Sequence, residues 1–322
     1  MSKRHVIAKA ADFGRVAVLM GGISPERDIS LMTGQAVLAA LRRRGVDAHG
    51  MDAADDLARA LLREPCDRVW TALHGPGGED GAAQGLLEYL GIPYTGSGVL
   101  GSALAMDKER SKTLFAAAGL ATPPFIVLTG PADFAQAERE LGLPLAVKPA
   151  GQGSSVGVSK VEHAADMPAA YAEAVRFGDA VLAERWISGR EYSAPVLQGE
   201  VLPMIRIEPA ATFYDYNAKY FSDATRYHCP SGLDAATERA CAAQALRAFA
   251  VVGARGWGRV DFLLDDRGTA YMLEVNTIPG MTDHSLVPMG ARARGIDFDE
   301  LAWRVLETSF DVAPSERTRR TT

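Results

Sequence analysis

The sequence has few cysteines, no long hydrophobic run and no cluster of basic residues, and each absence excludes a class of protein. Three cysteines among 322 residues are too few and too scattered for a disulfide framework or a CxxC metal site. No apolar run approaches the roughly 18 residues of a membrane span, and the N-terminus lacks the apolar core of a signal peptide. We therefore expect a reduced, cytosolic protein that is neither exported nor membrane-anchored.

The charge balance argues against a nucleic-acid partner. Lysine and arginine number 34 against 40 acidic residues, which gives a net charge of −6, and no basic stripe is present. Small anions held by local basic residues are the better expectation. An apolar share of 48% is typical of a globular chain. The length exceeds one compact core and predicts two or three domains.

Charged residues gather on a predicted hairpin near the C-terminus. Strands over 258–264 and 269–276 flank the turn Asp265-Asp266-Arg267-Gly268. If this four-residue connection sets the register, Arg259 lies opposite Glu274 and Asp261 opposite Met272. Because side chains alternate with period two, one face is polar and the other apolar. The polar face carries Arg259, Asp261, Glu274 and Asn276, and the apolar face carries Val260, Phe262, Leu273 and Val275.

This polar face supports two interpretations. Two carboxylates and an amide supply the oxygen ligands that Mg²⁺ prefers, and the guanidinium of Arg259 suits an anionic substrate. The alternative is an ordinary salt bridge between Arg259 and Glu274 on a solvated sheet. The hairpin residues alone do not decide between them.

Two strand–loop–helix units are predicted in the first hundred residues. The strand over 15–20 ends at Gly21-Gly22, and Ser24-Pro25-Glu26 then opens a helix. Glu26 either binds a small ligand or complements the helix dipole. The strand over 68–73 leads into the loop HGPGGEDG. Since ligands of open α/β sheets bind at the carboxyl ends of strands, this position favours a functional His74 over a turn residue.

The segment GSGVLG at 96–101 satisfies the GxGxxG pattern of dinucleotide-binding oxidoreductases. Its context does not fit, because the preceding strand is short and contains Pro93, and no acidic residue follows about 20 residues later. The next helix is predicted over 102–118. It carries Lys108, which is either a solvated charge or a phosphate ligand.

The middle region, 122–185, is predicted to be a second α/β unit with a glycine- and serine-rich loop, KPAGQGSSVGV, after Lys148. Its glycines let backbone N–H groups converge on phosphate oxygens, although it is not a Walker loop. A hairpin without a ligand is the alternative. The stretch 184–191 offers an apolar slot and carboxylates for adenine and ribose, with Trp186 as plain core the alternative. Residues 209–233 are rich in tyrosine and predict an ordered lid.

Four motifs together resemble the D-alanine:D-alanine ligases, which are ATP-grasp carboxylate–amine ligases. They are GGISPERDIS, HGPGGEDGAAQG, MDKERSK with KPAGQGSSVG, and GRVDFLLDDRG with LEVNTIPGMTDHS. The resemblance spans about residues 15–307. It implies an α/β chain with an N-terminal open parallel-sheet domain (1–100), a central α/β ATP-grasp subdomain (101–186) and a C-terminal α+β catalytic domain (187–322).

The resemblance also implies an activity and its partners. Two D-alanines would be ligated through a D-alanyl phosphate for the peptidoglycan precursor, giving ADP and phosphate. The alternative is a D-alanine:D-lactate or D-alanine:D-serine ligase of the same fold. ATP, two Mg²⁺ or Mn²⁺ ions and a homodimer are expected. Arg185 and Ile278 depart from the family pattern, where lysine and a small polar residue are common.

Each motif residue has a role implied by the resemblance. The metal ligands would be Asp261, Glu274 and Asn276. The ATP-binding residues would be Lys108, Lys148, Ser155, Glu184, Trp186, Ile187 and Glu191. The D-alanine subsites would be formed by Glu26, His74, Lys219 and Ser285. Arg259 and the Gly280 N–H would hold the oxyanion, while Ser154 and Tyr220 would join Glu26 in closing the site.

Overall fold

A computed structural model of the chain describes residues 5–54, 56–151, 157–178, 180–209, 225–282 and 285–311. Its helices are α1 (Arg27–Arg43), α2 (Leu57–Arg63), α3 (Ala82–Leu90), α4 (Val99–Met106), α5 (Lys108–Ala117), α6 (Phe134–Leu141), α7 (Met167–Val175), α8 (Ala235–Val251), α9 (Leu286–Ala293) and α10 (Phe298–Glu307). None of these described helices combines the length and hydrophobicity needed to cross a membrane.

The described strands form three sheets. They are β1 (Val16–Met20), β2 (Ala48–Asp52), β3 (Arg68–Thr71), β4 (Phe125–Leu128), β5 (Leu145–Pro149), β6 (Ser159–Val161), β7 (Val181–Arg185), β8 (Arg190–Leu197), β9 (Glu200–Val201), β10 (Ile205–Glu208), β11 (Arg226–His228), β12 (Trp257–Leu264) and β13 (Ala270–Asn276). A parallel sheet thus precedes two antiparallel ones, in agreement with the expected order.

The N-terminal sheet has the order β2-β1-β3, and all its strands run parallel. The apolar run of β1 is buried along its whole length, as expected for a strand covered on both faces. Because β1 and β3 are parallel neighbours, the loops that follow them emerge at the same edge. These loops carry Glu26 and His74, which the sequence analysis had placed at strand ends.

Helix α1 begins two residues later than the sequence predicts. The predicted opening was Ser24, but the helix starts at Arg27 with Glu26 at the N-cap. The hydroxyl of Ser24 accepts a bond from the Glu26 N–H at 3.2 Å and donates to the carbonyl of His74 at 2.7 Å. These bonds hold 24–26 in a turn tied to the second loop.

The central sheet is antiparallel with the order β4-β7-β5-β6 and has a core of its own. Leu145 and Val147 of β5 are fully buried there, together with Leu128 of β4 and Ala183 of β7. Helices α6 and α7 contribute Ala137, Leu141, Ala170 and Ala174 to this core. All its fully buried residues lie between 128 and 183.

The third sheet has the order β11-β10-β8-β12-β13, with β9 paired to β8. Its core includes Val260 and Phe262 of β12 and Ala245 of α8. Ala105 and Phe115, from α4 and α5, belong to the same core. These two helices therefore pack with the third sheet, while the division at residues 100 and 186 stays a sequence-based prediction.

The single helix predicted over 102–118 is two helices in the structure. Asp107 separates them with an extended backbone, φ −89° and ψ 103°. Its carboxylate accepts a bond from the Arg110 N–H at 3.0 Å, which caps α5. The local side-chain bond thus interrupts a periodic pattern that alone indicated one helix.

The GxGxxG segment makes close packing contacts. A side chain at Gly101 would collide with the carbonyl oxygen of Gly253. The N–H of Gly96 donates to Thr308 Oγ1 at 3.1 Å, and its backbone, at φ +83°, lies against Trp257. Glycine is required here so that α4 can approach the C-terminal segments.

Candidate active site

A cleft of about 710 Å³ separates the central sheet from the third sheet. This volume is within the range of about 300 to 1,000 Å³ that is usual for small-molecule sites. The central sheet contributes one wall and strands β8, β10, β12 and β13 the other. Eight of the residues singled out in the sequence line this one cleft: Lys108, Lys148, Glu184, Trp186, Ile187, Glu191, Asp261 and Glu274.

The hairpin of β12 and β13 is present, but its predicted register is wrong. Arg259 lies opposite Asn276, and Asp261 lies opposite Glu274. The connection places Leu264 opposite Ala270, one residue beyond the expected pairing, and an irregularity between Asp261 and Phe262 adds a second residue. A shift of one residue exchanges the two faces, whereas a shift of two restores them. The four polar residues therefore share one face, as predicted.

The irregularity changes the apolar face of the hairpin. Met272, opposite Phe262, is fully buried in the core of the third sheet. Leu273, which was predicted to lie on the apolar face, lines the cleft beside Glu274. An extra residue in β13 is a bulge that lets Met272 and Glu274, two positions apart, face opposite sides.

Each carboxylate of the hairpin has a cation beside it. The guanidinium of Arg259 donates from Nε and Nη2 to Asp261, at 2.8 to 3.1 Å, and Ser193 Oγ donates to the same carboxylate at 2.7 Å. The ammonium of Lys108 lies 3.0 Å from Glu274 Oε2. The sequence analysis offered a salt bridge between Arg259 and Glu274 as the alternative to a metal site. The bidentate contact between Arg259 and Asp261 was not predicted.

The donor set of this face suits a hard divalent cation. Asp261 and Glu274 are opposed on neighbouring strands and both line the cleft, and oxygen ligands of this kind are those Mg²⁺ and Mn²⁺ take. Asn276 lies next along the same face, where its Oδ1 accepts the Ile278 N–H at 3.1 Å. Within the described ranges no group of three His, Cys, Asp or Glu side chains is arranged to hold a metal ion.

A buried lysine that sequence reasoning missed lies below the cleft. Lys112 is fully buried, and its ammonium lies 3.3 Å from Glu184 Oε1. Lys148 approaches the same oxygen at 2.8 Å. Burial lowers the pKa of Lys112 to about 8, against the opposing effect of Glu184. Burial alone would raise the pKa of Glu184, but the two ammonium groups outweigh it and lower that pKa.

The sequence did carry a signal for Lys112. It follows Lys108 by four residues and precedes Phe115 by three, so the three residues share one face of α5. Phe115 is a core residue with no exposed surface. A lysine on an apolar helix face is unusual, and this position distinguishes it from the solvated charges of the motif.

Trp186, Ile187 and Arg185 also line the cleft, just after strand β7 and at its end. The ammonium of Lys160 lies over the Trp186 ring, 4.9 Å from its centroid, a cation–π contact. Arg185, one of the two departures from the family pattern, donates from Nε to the carbonyl of Leu141 at 3.0 Å. That bond fastens the end of β7 to the C-terminus of α6.

Glu26 and His74 lie together at the edge of the N-terminal sheet and outside the lining of the cleft. A side chain at Gly75 would come within 2.7 Å of Glu26 Oε2, so the Glu26 carboxylate lies against the backbone next to His74. The His74 ring is buried, with Nε2 at 3.1 Å from Thr33 Oγ1 and Nδ1 at 3.9 Å from Glu79.

Thr33 is a second residue that sequence reasoning missed. Its hydroxyl contacts His74 and accepts the N–H of Met281 at 3.4 Å. It therefore connects the N-terminal domain to the loop that carries Gly280 and Ser285. Ser30 and Thr33 are both fully buried on α1, four and seven residues after Glu26. This polar helical stripe was a signal available in the sequence.

Gly280 and Ser285 are neighbours in that loop. A side chain at Gly280 would meet Ser285 Oγ at 3.0 Å, and the same hydroxyl accepts the N–H of Thr282 at 3.0 Å. Ile278, the second departure, is buried in the core that joins the N-terminal sheet to α9 and α10. The Ile278 side chain therefore contributes to packing.

Ser154, Ser155, Lys219 and Tyr220 lie outside the described residues. Their predicted roles stay predictions.

Comparison with known proteins identifies the family. The models described as D-ala D-ala ligase C-terminus and N-terminus match residues 114–307 and 49–97. The chain is 54% identical over 310 residues to the D-alanine–D-alanine ligase of Methylococcus capsulatus, covering 96% of this chain and 100% of that protein. Its structure matches that of a D-alanine–D-alanine ligase from Bacillus anthracis complexed with ATP, with a TM-score of 0.81, 36% identity and coverage of 92% and 97%.

A solved structure with a different printed specificity is also similar. The VanG D-Ala:D-Ser ligase of Enterococcus faecalis matches with a TM-score of 0.80, 28% identity and coverage of 92% of this chain and 99% of that one. The sequence identity is thus much higher to the D-alanine–D-alanine ligase of Methylococcus capsulatus. The chain belongs to the D-alanine–D-alanine ligase family and has its ATP-grasp fold.

Proposed function

We propose that this enzyme joins two D-alanine molecules, using ATP, and yields D-alanyl-D-alanine, ADP and phosphate for the peptidoglycan precursor. The observation that carries the proposal is the cleft, where eight residues chosen from sequence motifs line one space between two sheets. The family membership supports the same activity. The ATP named for the Bacillus anthracis structure supports the nucleotide.

Lys108 and Lys148 are the groups that would receive the ATP phosphates. Both line the cleft, on opposite sides of it. The first D-alanine carboxylate must approach the γ-phosphate, and a pair of unit negative charges about 4 Å apart costs roughly 4 kcal/mol at an effective dielectric of 20. Two ammonium groups beside the phosphates offset this repulsion. Adenine and ribose would lie near Trp186 and Ile187, with Glu184 and Glu191 as polar partners and Ser155 on the phosphates.

Asp261, Glu274 and Asn276 would hold two Mg²⁺ or Mn²⁺ ions. When bound, such ions neutralise phosphate charge and polarise the phosphoryl group. Arg259 lies on the same face, and its bidentate contact fixes the Asp261 carboxylate towards the cleft. The protein thus presents preoriented oxygen ligands before nucleotide arrives.

The two D-alanines would bind where the N-terminal loops meet the loop at 280–285. Glu26 would hold the first ammonium and His74 the first carboxylate. Arg259 and the Gly280 N–H would stabilise the tetrahedral oxyanion, and Ser285 would bind the second carboxylate. The Thr33 contacts to His74 and Met281 support a shared site across these segments. Lys219 would serve the acceptor, and Ser154 and Tyr220 would close the site with Glu26, which excludes water from the acyl phosphate.

Assembly and location are proposed on the same basis. A homodimer in the cytoplasm fits a ligase of cell-wall precursor synthesis. The alternative acceptors, D-serine and D-lactate, are second candidates because the VanG D-Ala:D-Ser ligase shares the fold.

The decisive experiment assays phosphate release with ATP, Mg²⁺ and D-alanine. We expect ADP and phosphate, one of each per dipeptide, and at least about a 100-fold loss of kcat in Glu274→Gln, because a metal ligand contributes several kcal/mol. Glu200→Gln, exposed in the same sheet, is the matched control. Release of AMP would rule out the acyl phosphate, and normal turnover in Glu274→Gln would remove that residue from the site.

Analysis of the products of the same reaction decides the acceptor. An equimolar mixture of D-alanine, D-serine and D-lactate is expected to give mainly D-alanyl-D-alanine near neutral pH. If D-alanyl-D-serine or D-alanyl-D-lactate formed in comparable amounts, the enzyme would have the second candidate specificity.

A further inference from the structure

Lys112 has a position that the proposed reaction leaves unused. It is fully buried and lines no part of the cleft, so it cannot contact a nucleotide bound there. Most lysines on a protein surface extend their ammonium group into water, whereas the whole side chain of Lys112 is buried. A buried ammonium is costly unless it is paired. The question is what its charge does.

The partners of Lys112 lie on both walls of the cleft. On one side its ammonium approaches Glu184 of β7 at 3.3 Å. On the other side it donates to Thr122 Oγ1 at 2.7 Å, and that hydroxyl donates to the carbonyl of Met272 at 2.8 Å. Met272 is in β13, two residues before Glu274. The Phe125 ring completes the surroundings, 5.5 Å from the ammonium.

The net charge of this cluster differs from that of an ordinary ion pair. Glu184 and Lys148 alone would form a neutral pair, since their charges cancel at 2.8 Å. Lys112 adds a second positive charge on the same carboxylate oxygen. The group of three therefore carries a net positive charge. Of the three, Lys148 and Glu184 line the cleft, and Lys112 does not.

We propose that Lys112 is a positioning residue for the nucleotide, which neutralises Glu184 from below so that Lys148 presents an uncompensated positive charge to the phosphates. The role is electrostatic and acts through Glu184. It rests on the proposed ATP site. Without Lys112, the charge of Lys148 would be balanced by Glu184 alone, and a phosphate would have to compete with that carboxylate for the ammonium.

The test measures the Kd of ATP and of ADP by calorimetry for variants of the full chain. Lys112→Met keeps the length of the side chain and removes its charge, and we expect Kd to rise about tenfold, or 1.4 kcal/mol. The second comparison repeats Lys112→Met in a Glu184→Gln background, where no carboxylate competes for Lys148. Since the role of Lys112 acts through Glu184, the Kd of the double variant is expected to lie within about threefold of that of Glu184→Gln alone. Lys112→Arg, which keeps the charge, is expected to bind within about threefold of the wild type.

Two controls separate charge from structure. Thr122→Val breaks the bonds to Lys112 and to Met272 while leaving the charge in place, and its Kd is expected to stay within twofold. Lys9→Met removes one positive charge at an exposed position outside the cleft and is expected to have no effect. A structural role would show equally in Thr122→Val, and the effect of Lys112→Met would persist in the Glu184→Gln background.

Each outcome decides something different. Absence of ATP binding in the wild type defeats the proposed function before the variants are compared. If the wild type binds ATP, an unchanged Kd in Lys112→Met overturns the role of Lys112 alone. So does a tenfold loss of affinity when Lys112→Met is added to Glu184→Gln. If Lys112→Met does not fold by itself, the comparison passes to Glu184→Gln with and without Lys112→Met, where a tenfold difference in Kd contradicts the proposal.

Discussion

Single residues in the cleft show one repeated arrangement, in which each of the two lysines proposed to bind phosphate lies beside a carboxylate. Lys108 lies beside Glu274, and Lys148 beside Glu184. Such pairs orient long side chains before the ligand binds, at the desolvation cost of a partly buried ion pair. A triphosphate would meet lysines already held in place, and this preorganisation favours its binding.

The lowered pKa of Lys112 predicts a pH dependence of stability. Its pKa in the folded chain is about 8, below the ordinary 10.5. Between these values the unfolded chain binds more protons at this site than the folded chain, so stability rises with pH. We expect the unfolding free energy of the wild type to increase relative to that of Lys112→Met as pH rises from 8 to 10.

This prediction is checked by urea denaturation at several pH values in that window. The groups that face the ammonium are Glu184 and Lys148 from the central sheet, the hydroxyl of Thr122 and Lys108 on the same helix. Lys9→Met serves as the control for an exposed lysine and should follow the wild type. A constant difference between wild type and Lys112→Met across the window would show that the site does not titrate there.

The sequence located the polar residues of the cleft better than it located their partners. Asp261 and Glu274 were recognised because strand alternation is local, whereas Lys112 is on helix α5 and its partner Glu184 is 72 residues away on strand β7. Burial of a lysine depends on how α5, β5 and β7 meet, and this is a tertiary property. The helical spacing from Lys108 was the signal present in the sequence.

At the scale of elements, the hairpin shows how two errors cancel. The predicted turn was one residue too short, and no pattern in the sequence indicated the bulge at Leu273. Each shift alone would have exchanged the faces of β13, and together they returned Glu274 to the side of Asp261. The face was therefore predicted correctly from an incorrect register. The one residue whose face was predicted wrongly is Leu273, at the bulge itself.

Helix α5 gives a prediction about its cap. Asp107 accepts the Arg110 N–H, and Lys108, the first residue of the helix, donates its own N–H to the carbonyl of Ala150. Removing the cap in Asp107→Ala is expected to cost about 1 kcal/mol of stability. It should also raise the KM for ATP, because the start of the helix that carries Lys108 becomes less fixed.

Asp234→Ala is the matched variant. Asp234 caps α8 by accepting the N–H groups of Ala236 and Thr237. None of these three residues lines the cleft. We expect a similar loss of stability with no change in KM. Denaturant titration and ATP saturation curves measure the two effects. If both variants leave the KM unchanged, the cap of α5 has no part in placing Lys108.

The whole molecule contains cores that differ in how they join its sheets. One core combines the N-terminal sheet with α9, α10 and part of the third sheet, and in it the rings of Trp70 and Trp257 lie 5.4 Å apart. Trp70 also donates to the carbonyl of Ala302 at 3.3 Å. The core of the central sheet has only its own strands and helices. Cooperative unfolding follows shared cores, so the central sheet is expected to behave as a separate unit.

Hydrogen exchange can test this division with one substitution in each core. Leu145→Ala, in the central sheet, is expected to cost about 2 to 5 kcal/mol and Trp257→Ala about 3 to 5 kcal/mol. Both side chains are fully buried. Leu145→Ala should speed exchange in 125–185 alone, whereas Trp257→Ala should speed it in both 16–94 and 190–307, since those segments share the core of Trp257. Equal acceleration throughout the chain in Leu145→Ala would mean that the central sheet unfolds with the rest, and that the cleft walls are a single cooperative unit even without nucleotide between them.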